Sequence, residues 1–400
     1  MKVLIINKFL YPNGGSETYI FKIGKQLQKM GHEVQYFGME HEGRCVGNRT
    51  ESYTADMDFH TGKLSKLLYP FKIIYSVEAR KKLRIVLKDF LPDVVHVNNF
   101  NFQLTPSILY EVRDFEKKNN HRIKVIYTAH DSQVVCPNHL MQQFLSGERC
   151  TECIGGSPWN CARHKCIHGS FIKSILGSME AWIYRTLKTY KKIDTVICPS
   201  EFLREKLNTS SELRDKTIVM HNFIDKFEPN KQRDLTVPYV AYVGRFSEEK
   251  GIKTLLQVCR QLREIPFVFA GSGSLVDEVN QVENVKNRGF LQGEELQKMV
   301  SNAVFLIFPS ECNENCPFTV MEALSCSTPV IGAAIGGVPE LIRDGENGLL
   351  FESGNDQELK SAVEKLWYDK DLQKKLCLGC ENDHFDTLEE YCKSLESVYE

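Results

Sequence analysis

Short apolar runs alternate along the chain with longer segments in which apolar residues recur every three or four positions. The runs are three to five residues long and rich in Val and Ile, and the clearest cover residues 3–6, 34–37, 94–97, 124–128, 195–198, 239–243, 267–270, 304–308 and 329–331. The helical segments between them include residues 17–30, 78–90, 251–262, 294–301 and 357–369. Because strand–helix alternation is typical of parallel sheets covered on both faces, the pattern predicts an α/β fold.

This alternation restarts near residue 239, after the polar stretch IDKFEPNKQRDLTVP, which we interpret as a linker. A chain of 400 residues is also too long for one ordinary core. We therefore predict two Rossmann-like domains, at residues 1–224 and 237–383, with a C-terminal helix at 384–400 that crosses back to the first. Ligands of such sheets bind beyond the carboxyl ends of the strands, so we expect the site in a cleft between two facing domains.

The composition is that of a globular protein. Hydrophobic residues make up 42% and charged residues 26% of the chain, which excludes disordered and fibrous classes. The first apolar run is short and lacks a small-residue cleavage site, so we interpret it as a buried strand rather than a signal peptide. No window approaches eighteen uninterrupted apolar residues. We therefore expect a cytoplasmic protein whose cysteines are mostly reduced.

Charge is distributed unevenly. Residues 1–224 contain 32 Lys and Arg against 22 Asp and Glu, whereas the remainder contains 18 against 30. The basic residues form two clusters, which are Lys63, Lys66, Lys72, Arg80, Lys81, Lys82, Arg84 and Lys88, and then Lys173, Arg185, Lys188, Lys191 and Lys192. This pattern favours peripheral contact with the inner face of the cell membrane, and a solvated helix face explains it equally well. No motif that reads nucleic acid accompanies the charge, so we expect no nucleic-acid partner.

Two loops that follow predicted strands carry groups suited to an anionic ligand. Gly14 and Gly15 precede the first predicted helix, where backbone N–H groups can approach a phosphate or a sugar closely. Ser16 as an N-cap explains the same turn without any ligand. Arg245 and Lys250 flank the loop after residue 243, and two cations beside a helix N-terminus suit a pyrophosphate. No complete dinucleotide fingerprint or Walker loop is present in the sequence.

The segment PSECNENCPFTVMEA places two carboxylates, Glu314 and Glu322, seven residues apart. It follows a predicted strand, and residues 318–325 read as a helix. One carboxylate in the loop, a second in the helix and the amides between them offer acceptors and donors for sugar hydroxyls and a ribose. The segment therefore predicts a nucleotide-sugar site.

Taken together, these motifs resemble the retaining GT-B glycosyltransferases of glycosyltransferase family 4, over nearly the whole chain. The motifs that carry the resemblance are Gly14-Gly15-Ser16-Glu17, Thr128-Ala129-His130-Asp131, Cys198-Pro199-Ser200-Glu201-Phe202, His221-Asn222-Phe223-Ile224-Asp225, Val243-Gly244-Arg245 with Glu249-Lys250-Gly251, Glu314 with Glu322, and Gly336-Gly337-Val338-Pro339-Glu340. Each is weak alone, and the set in this order is specific.

The resemblance implies a role for each matching residue. Four residues are implied to be catalytic, by holding the diphosphate or lying near the transferred sugar: His130, Arg245, Lys250 and Glu314. The other residues are implied to bind the donor through its phosphate, sugar hydroxyls, base or ribose: Gly14, Gly15, Phe290, Leu291, Asn315, Cys316, Pro317, Phe318 and Glu322. Gly14 and Gly15 are alternatively implied to meet the acceptor.

The implied reaction is retaining sugar transfer from a UDP-, GDP- or ADP-sugar to a hydroxyl of a glycan or polyprenyl-diphosphate-linked acceptor, in polysaccharide or glycoconjugate biosynthesis. Catalysis is expected to need no metal or other cofactor. Two Asp-x-Asp triplets, at residues 56–58 and 369–371, do not follow strong apolar strands, and we interpret them as surface coincidences. A nucleotide-sugar 2-epimerase of the same fold and a non-catalytic partner subunit remain as alternatives.

A cysteine-rich insertion at residues 136–169 departs from the commoner pattern of the family. Its four cysteines Cys150, Cys153, Cys161 and Cys166 have a spacing that suits a structural zinc site. Two disulfides or free thiols are the alternatives, and Cys136, His164 and His168 are substitute ligands. The insertion follows the His130 strand, so it is expected to shape the acceptor side.

Overall fold

The computed structural model describes residues 1–55, 73–225 and 236–400, and these residues divide into two compact units. The first unit comprises residues 1–220 together with 388–400, and the second comprises residues 221–387. The predicted Asp-x-Asp triplet at 56–58, the basic residues Lys63, Lys66 and Lys72, and linker residues 226–235 lie outside the described residues.

The first unit contains a parallel sheet with helices between its strands. Its strands are β1 (Lys2–Ile6), β2 (Glu33–Phe37), β3 (Val94–Val97), β4 (Lys124–Thr128), β5 (Thr195–Cys198) and β6 (Thr217–Val219). Its α-helices are α1 (Gly15–Lys29), α2 (Val77–Phe90), α3 (Ser107–Asn119), α4 (Asn160–Arg163), α5 (Phe171–Thr186), α6 (Glu201–Leu207) and α14 (Leu388–Tyr399). Hydroxyl groups of Ser76, Ser170 and Ser200 accept a first-turn N–H and so begin α2, α5 and α6.

The second unit repeats this architecture. Its strands are β7 (Val240–Val243), β8 (Phe267–Ala270), β9 (Val285–Asn287), β10 (Phe305–Phe308), β11 (Val330–Ala333) and β12 (Gly348–Phe351). Its α-helices are α7 (Ile252–Gln261), α8 (Val276–Asn280), α9 (Gly293–Ser301), α10 (Phe318–Ser325), α11 (Val338–Leu341), α12 (Asp356–Tyr368) and α13 (Lys370–Cys380). Each sheet is sandwiched between helices, and each unit has its own buried apolar core.

The strand order of each sheet locates a crevice. The first sheet runs β2-β1-β3-β4-β5-β6 and the second runs β12-β11-β10-β7-β8-β9, and the paired strands are all parallel. The direction of chain progress reverses between β1 and β3, and again between β7 and β10. At such a reversal the loops after the two strands diverge to opposite faces and leave a crevice for a ligand. We therefore expect ligand-binding groups in the loops after β1, β3, β7 and β10.

All nine predicted strands are present, and the predicted α/β class with two Rossmann-like sheets is confirmed. The sequence pattern missed three short strands, β6, β9 and β12. These strands lie at or near sheet edges and have three or four residues each, so they offer little periodicity to detect. Among the described residues, no helix has both the length and the apolarity needed to cross a membrane.

Candidate functional site

The crevice of the second unit is formed by the loops after β7 and β10. The loop after β7 ends in a single 3-10 turn, Glu248–Lys250, before α7. Gly251 follows this turn with φ of 70°, and a Cβ there would lie 1.9 Å from the carbonyl oxygen of Pro309. Only glycine therefore lets the two loops approach this closely. The carbonyl of Glu249 accepts the N–H groups of Glu311 and Cys312 at 3.0 and 3.1 Å, which fixes the loops together.

Lys250 and Glu314 meet across these two loops. Nζ of Lys250 lies 2.5 Å from Oε1 of Glu314, and the buried hydroxyl of Ser310 donates to the same oxygen at 2.8 Å. Gly337 donates its N–H to the carbonyl of Glu314 at 2.7 Å, so the backbone of this residue is also held. The contacts of Lys250 and Ser310 both use Oε1 of Glu314. Oε2 is therefore the oxygen that would accept a hydrogen bond from a ligand hydroxyl.

Electrostatics keep Lys250 protonated. Burial opposes its charge, but Glu314 and Cys312 outweigh this effect and raise the pKa of the Lys250 ammonium. The sulfur of Cys312 lies 3.8 Å from Nζ of Lys250, and burial raises the pKa of that thiol. Arg245, in the same loop, is exposed. The crevice thus offers one fixed cation and one accessible cation to an anionic ligand.

The other predicted donor residues of this unit lie in two places. Asn315 to Phe318 and Glu322 lie at or within α10, whereas Phe290 and Leu291 follow β9. Asn315, Cys316 and Pro317 lead into α10, and Glu322 lies half-buried within that helix. Pro317 has no amide hydrogen, so it offers a ligand only its carbonyl and ring. Cys316 points into the protein, where its sulfur accepts the N–H of Asn222 at 3.3 Å and its carbonyl accepts the Asn222 amide at 2.7 Å.

Phe290 and Leu291 follow β9, two strands away from the β7–β10 reversal. Phe290 is 74% exposed, whereas Leu291 is half-buried and lines a cavity of about 800 Å³ with Tyr239 and Phe267. That cavity lies largely at the starts of β7, β8 and β9, and the cations and carboxylates of the crevice do not line it. The exposed aromatic ring of Phe290 is available for contact with a flat base.

In the first unit, a set of hydrogen bonds braces the turn that carries Gly14 and Gly15. The buried carboxylate of Glu17 accepts from Asn7 Nδ2 and from Ser16 Oγ, each at 2.9 Å. Gly15 has no atom within 4 Å of where a Cβ would lie, and Gly14 adopts an extended φ of −176°. Neither backbone strain nor packing within the chain therefore requires glycine at these positions. Gly14 is the N-cap residue of α1 and no side chain caps this end of the helix, so the alternative in which Ser16 is the N-cap is wrong.

His130 ends β4 at the same edge of the sheet. Its Nε2 lies 2.9 Å from Oδ1 of Asn98, which follows β3, and its ring packs edge-on against Tyr19 of α1 at 5.1 Å. Burial lowers the pKa of His130 to about 4, and Asp131 only partly offsets this effect. At neutral pH the imidazole is therefore uncharged, and it is suited to hydrogen bonding with a hydroxyl rather than to pairing with a phosphate.

The cysteines of residues 136–169 gather beside α4 and α5. Cys153, Cys161 and Cys166 form one buried cluster with Ile167, and Cys161 hydrogen-bonds Cys166. Cys136 lies near them, since Cys150 and Cys166 are among the groups that raise the pKa of its thiol, after burial. No three of these sulfurs lie mutually within 4.8 Å, and no disulfide links them. The zinc site stays a prediction.

Sequence reasoning missed four polar residues that brace the predicted ones: Asn7, Asn98, Asn99 and Ser310. Each follows a strand that borders a chain reversal, namely β1, β3 or β10. Asn99, for example, donates to Ser16 Oγ at 2.9 Å. Strand-end position was the available signal, since a short polar side chain directly after a buried strand faces the crevice. The triplet at 369–371 has a structural use, because Asp369 caps α13 through the N–H of Leu372.

Two family models match the chain and together cover most of its length. The model described as Glycosyltransferase Family 4 matches residues 13–226, and that described as Glycosyl transferases group 1 matches residues 223–377. The boundary between them falls in the segment that joins the two sheets. The predicted family resemblance is confirmed by these matches.

Individual relatives are distant. An uncharacterized glycosyltransferase of Methanocaldococcus jannaschii is 26% identical over 216 residues, which cover 52% of this chain and 60% of the relative. An uncharacterized 42.6 kDa protein in the cps region of Klebsiella pneumoniae is 22% identical over 86% of this chain and 88% of its own length. HepE of Anabaena, solved in complex with UDP-glucose, matches with a TM-score of 0.65 at 17% identity over 100% of both chains. This structural likeness confirms the GT-B fold class.

Proposed function

Because this chain belongs to glycosyltransferase family 4, we propose that it transfers a sugar from a nucleoside-diphosphate sugar to an acceptor hydroxyl with retention of configuration. A uridine donor is the first to test, since HepE of the same fold was solved with UDP-glucose. The acceptor we propose is a glycan or a polyprenyl-diphosphate-linked glycan, used in polysaccharide or glycoconjugate assembly. The relative in the Klebsiella cps region accords with that class of acceptor.

The observation that carries the proposal is the Lys250–Glu314 pair at the β7–β10 reversal. A lysine 2.5 Å from a carboxylate, with Ser310 on the same oxygen, holds opposite charges side by side at the mouth of a crevice. A nucleotide-sugar has matching chemistry, since its diphosphate seeks a cation and its sugar hydroxyls seek an acceptor. A purely structural ion pair would not need the accompanying exposed Arg245.

The chemistry follows from the charges that develop. As the bond between the anomeric carbon and the diphosphate oxygen breaks, negative charge grows on the departing diphosphate. Lys250 and Arg245 stabilise that charge more strongly in the transition state than in the ground state. The acceptor oxygen bonds to the anomeric carbon on the same face, and its proton passes to the departing phosphate. Because two side chains supply the positive charge, we expect transfer to proceed without a metal ion.

The first unit supplies neutral contacts. Uncharged His130 and the open turn at Gly14 and Gly15 would meet sugar hydroxyls or the donor phosphate without adding charge. Glu322 would hold the ribose diol, and Phe290 and Leu291 would meet the base. These assignments follow the family's motifs and remain proposals for each residue.

The test is thermal stabilisation by UDP-, GDP- and ADP-sugars, measured without acceptor on the wild type and on Glu314→Ala, Arg245→Ala and Glu311→Gln. Glu311 is the matched control, because it lies in the same loop but contacts Thr254. We expect one nucleotide class to raise the Tm of the wild type and of Glu311→Gln, and not of the other two variants. Stabilisation that survives in Glu314→Ala and Arg245→Ala would refute the assigned site.

The two alternatives make different predictions. A 2-epimerase would convert the nucleotide-sugar to its epimer without acceptor, and a partner subunit would neither bind nor convert any donor. NMR of the product formed with acceptor distinguishes all three and reads the anomeric configuration directly. An inverted linkage would refute retention while leaving the donor site intact.

A further inference from the structure

Helix α5 buries small and polar side chains and exposes several large apolar ones, the reverse of the usual amphipathic arrangement. Its buried residues are mostly small or polar: Ser174, Gly177, Ser178, Glu180, Ala181 and Tyr184. Three of its large apolar residues, Phe171, Ile172 and Trp182, face outward and are 54%, 72% and 49% exposed, while Ile175, Leu176, Met179 and Ile183 are half-buried. Surface helices normally turn their apolar stripe toward the core, so this arrangement needs a reason.

Contacts on the inner side fix the orientation of the helix. Ser174 Oγ accepts the N–H of Ile167 at 3.0 Å, and Ser178 Oγ accepts the N–H of Ala162 at 3.1 Å. At Gly177 a Cβ would lie 2.5 Å from Cδ1 of Ile167, so a larger residue there would require the Ile167 side chain to shift. The small residues are therefore matched to the cysteine-rich segment, and rotating α5 to bury its apolar stripe would break these contacts.

A neighbouring turn extends the apolar surface. The bridge between Gln142 and Arg149 closes a short hairpin whose turn carries Phe144 and Leu145, which are 53% and 68% exposed. Both side chains lie against Gly169, directly before α5, because a Cβ at Gly169 would come within 3.3 Å of each. The hairpin thus lies beside the N-terminal end of α5. We call the set Phe144, Leu145, Phe171, Ile172 and Trp182 the outer apolar surface.

Exposed cations outnumber exposed acidic residues in the segment that contains the outer apolar surface. Over residues 140–192 the exposed cationic side chains are Arg149, Arg163, Lys165, Lys173, Lys188 and Lys191, whereas the exposed acidic ones are Glu148 and Glu152. By contrast, the cations of α2 that the sequence also suggested are partly neutralised, since Arg80 and Arg84 both bind the buried carboxylate of Glu111. Exposed cations therefore remain in the segment that contains α5, whereas two of the predicted cations of α2 are paired.

We propose that the outer apolar surface docks the first unit on an anionic lipid bilayer, with α5 lying in the plane of the interface. Aromatic and aliphatic side chains on one face, flanked by lysines and arginines, are what interfacial helices present to acyl chains and anionic headgroups. Tryptophan and phenylalanine favour that boundary in particular. A protein partner explains the apolar side chains but gives no reason for the surrounding excess of cations.

The docking does not depend on the transfer reaction, so it is tested separately by co-sedimentation of the whole chain with vesicles. The vesicles are phosphatidylcholine alone or phosphatidylcholine mixed with phosphatidylglycerol. We expect binding to the mixed vesicles that weakens as salt rises, because exposed charges are screened. Absence of binding to mixed vesicles would overturn the proposal.

Variants locate the surface. The double variant Leu145→Ser/Ile172→Ser should lower the partition coefficient at least about tenfold, since two large apolar side chains no longer enter the acyl region. Leu378→Ser is the matched control, because Leu378 is 51% exposed on α13 of the other unit. Lys173→Ala/Lys188→Ala should reduce binding to anionic vesicles and leave phosphatidylcholine binding unchanged. Equal binding by the apolar double variant and Leu378→Ser would exclude this surface.

Two further readouts distinguish membrane docking from loss of the donor site and from self-association. Stabilisation of Leu145→Ser/Ile172→Ser by the nucleotide-sugar should equal that of the wild type, so a failure of docking is distinct from a failure of the proposed function. Size-exclusion chromatography tests whether a second copy of the chain occupies the surface instead. A dimer that dissociates in the double variant would assign the surface to self-association and refute membrane docking.

Discussion

The two units carry similar sheets but equip their crevices with opposite kinds of polar group. In the second unit, a charged pair, Lys250 and Glu314, lies at the β7–β10 reversal, and the pKa of Lys250 is raised. In the first unit, the imidazoles of His96 and His130, at the ends of β3 and β4, are uncharged because burial lowers the pKa of each. The difference shows that the scaffold fixes where a ligand can bind, whereas burial and partner charges decide what the site can do there.

In the first unit, neutral polar side chains form a continuous set of hydrogen bonds. His96 contacts Tyr399 through Nδ1 and Thr128 through Nε2, each at 2.7 Å. Tyr19 contacts Thr128 at 3.3 Å and Tyr391 at 2.9 Å. Complete burial lowers the pKa of His96 to about 3, and nearby His130 reinforces the shift. Because buried polar groups are costly unless they are paired, such a network specifies one arrangement of its helices.

The largest expected effect comes from removing one member of the Lys250–Glu314 pair. Lys250→Ala and Glu314→Ala should each lower kcat/KM for transfer about 10³-fold or more, because each leaves its partner charge uncompensated and removes a contact to the donor. Steady-state kinetics with the donor found by thermal stabilisation measures this. Glu311→Gln should retain wild-type kinetics, and equal losses in all three variants would mean that the loop, and not the pair, is what matters.

A second test asks whether the cysteines of residues 136–169 bind zinc, which would place a charged centre in the first unit. Burial raises the pKa of Cys136 to about 11 and that of Cys153 to about 12, so these thiols stay protonated unless a cation binds. With zinc bound, we expect elemental analysis to find about one zinc per chain, and chelation to lower the free energy of unfolding by several kcal/mol.

Cysteine variants sharpen that test. Cys136→Ser/Cys166→Ser should lose the metal, whereas Cys377→Ser, on a helix of the second unit, should keep it. A metal-free protein in which all fourteen cysteines react with an alkylating reagent after unfolding without a reductant would refute the zinc prediction. Protein with fewer reactive thiols and no metal would instead favour the disulfide alternative.

A smaller effect is expected at His130. His130→Ala should lower kcat/KM about 10- to 100-fold, because it removes a neutral hydrogen bond near the sugar. With a folded pKa of about 4, His130 should cause no change in activity between pH 8 and about 5. The unfolded imidazole protonates near pH 6.5, so the unfolded state binds more protons and stability falls as pH drops from there toward 4. A His130-dependent rise in activity near pH 6.5 would contradict the assignment.

The smallest effect concerns Glu180, a buried carboxyl on the inner side of α5. Burial raises its pKa to about 8, and Asn101 and Arg185 only partly offset this. The folded state therefore holds the additional proton between pH 4.5 and about 8, and stability falls as pH rises through that window. Glu180→Gln should raise Tm by a few degrees (about 1–2 kcal/mol) at pH 8 and by less at pH 5. The exposed Glu205→Gln should change Tm equally at both pH values.

The sequence predicted the strands and the family because both rest on local patterns. Alternating apolar runs identify β1, β7 and β10 without tertiary information, and the Glu314/Glu322 spacing is a contiguous motif. Strand order was not predictable, since parallel strands pair through long connections. For this reason the reversals that bring Lys250 to Glu314, 64 residues apart, became visible only in the structure.

Features that oppose the usual pattern were the hardest to predict. Helix α5 is absent from the segments that the periodicity identified, and only the contacts of Ser174 and Ser178 show that its small face is the buried one. Cys136 was a substitute ligand in the sequence and lies among the other cysteines in the structure. In both cases the deciding information is which neighbour a side chain meets, and no local periodicity encodes it.

The hydrogen bonds of Tyr391 and Tyr399 also have a consequence for the order of synthesis. Helix α14 belongs to the first unit, although the ribosome makes it after residues 221–387. Until α14 emerges, His96 and Tyr19 each lack a buried partner, so the first unit stays incomplete while the second can already fold as a contiguous segment. A chain stalled before residue 388 should therefore carry a folded second unit and a protease-sensitive first one.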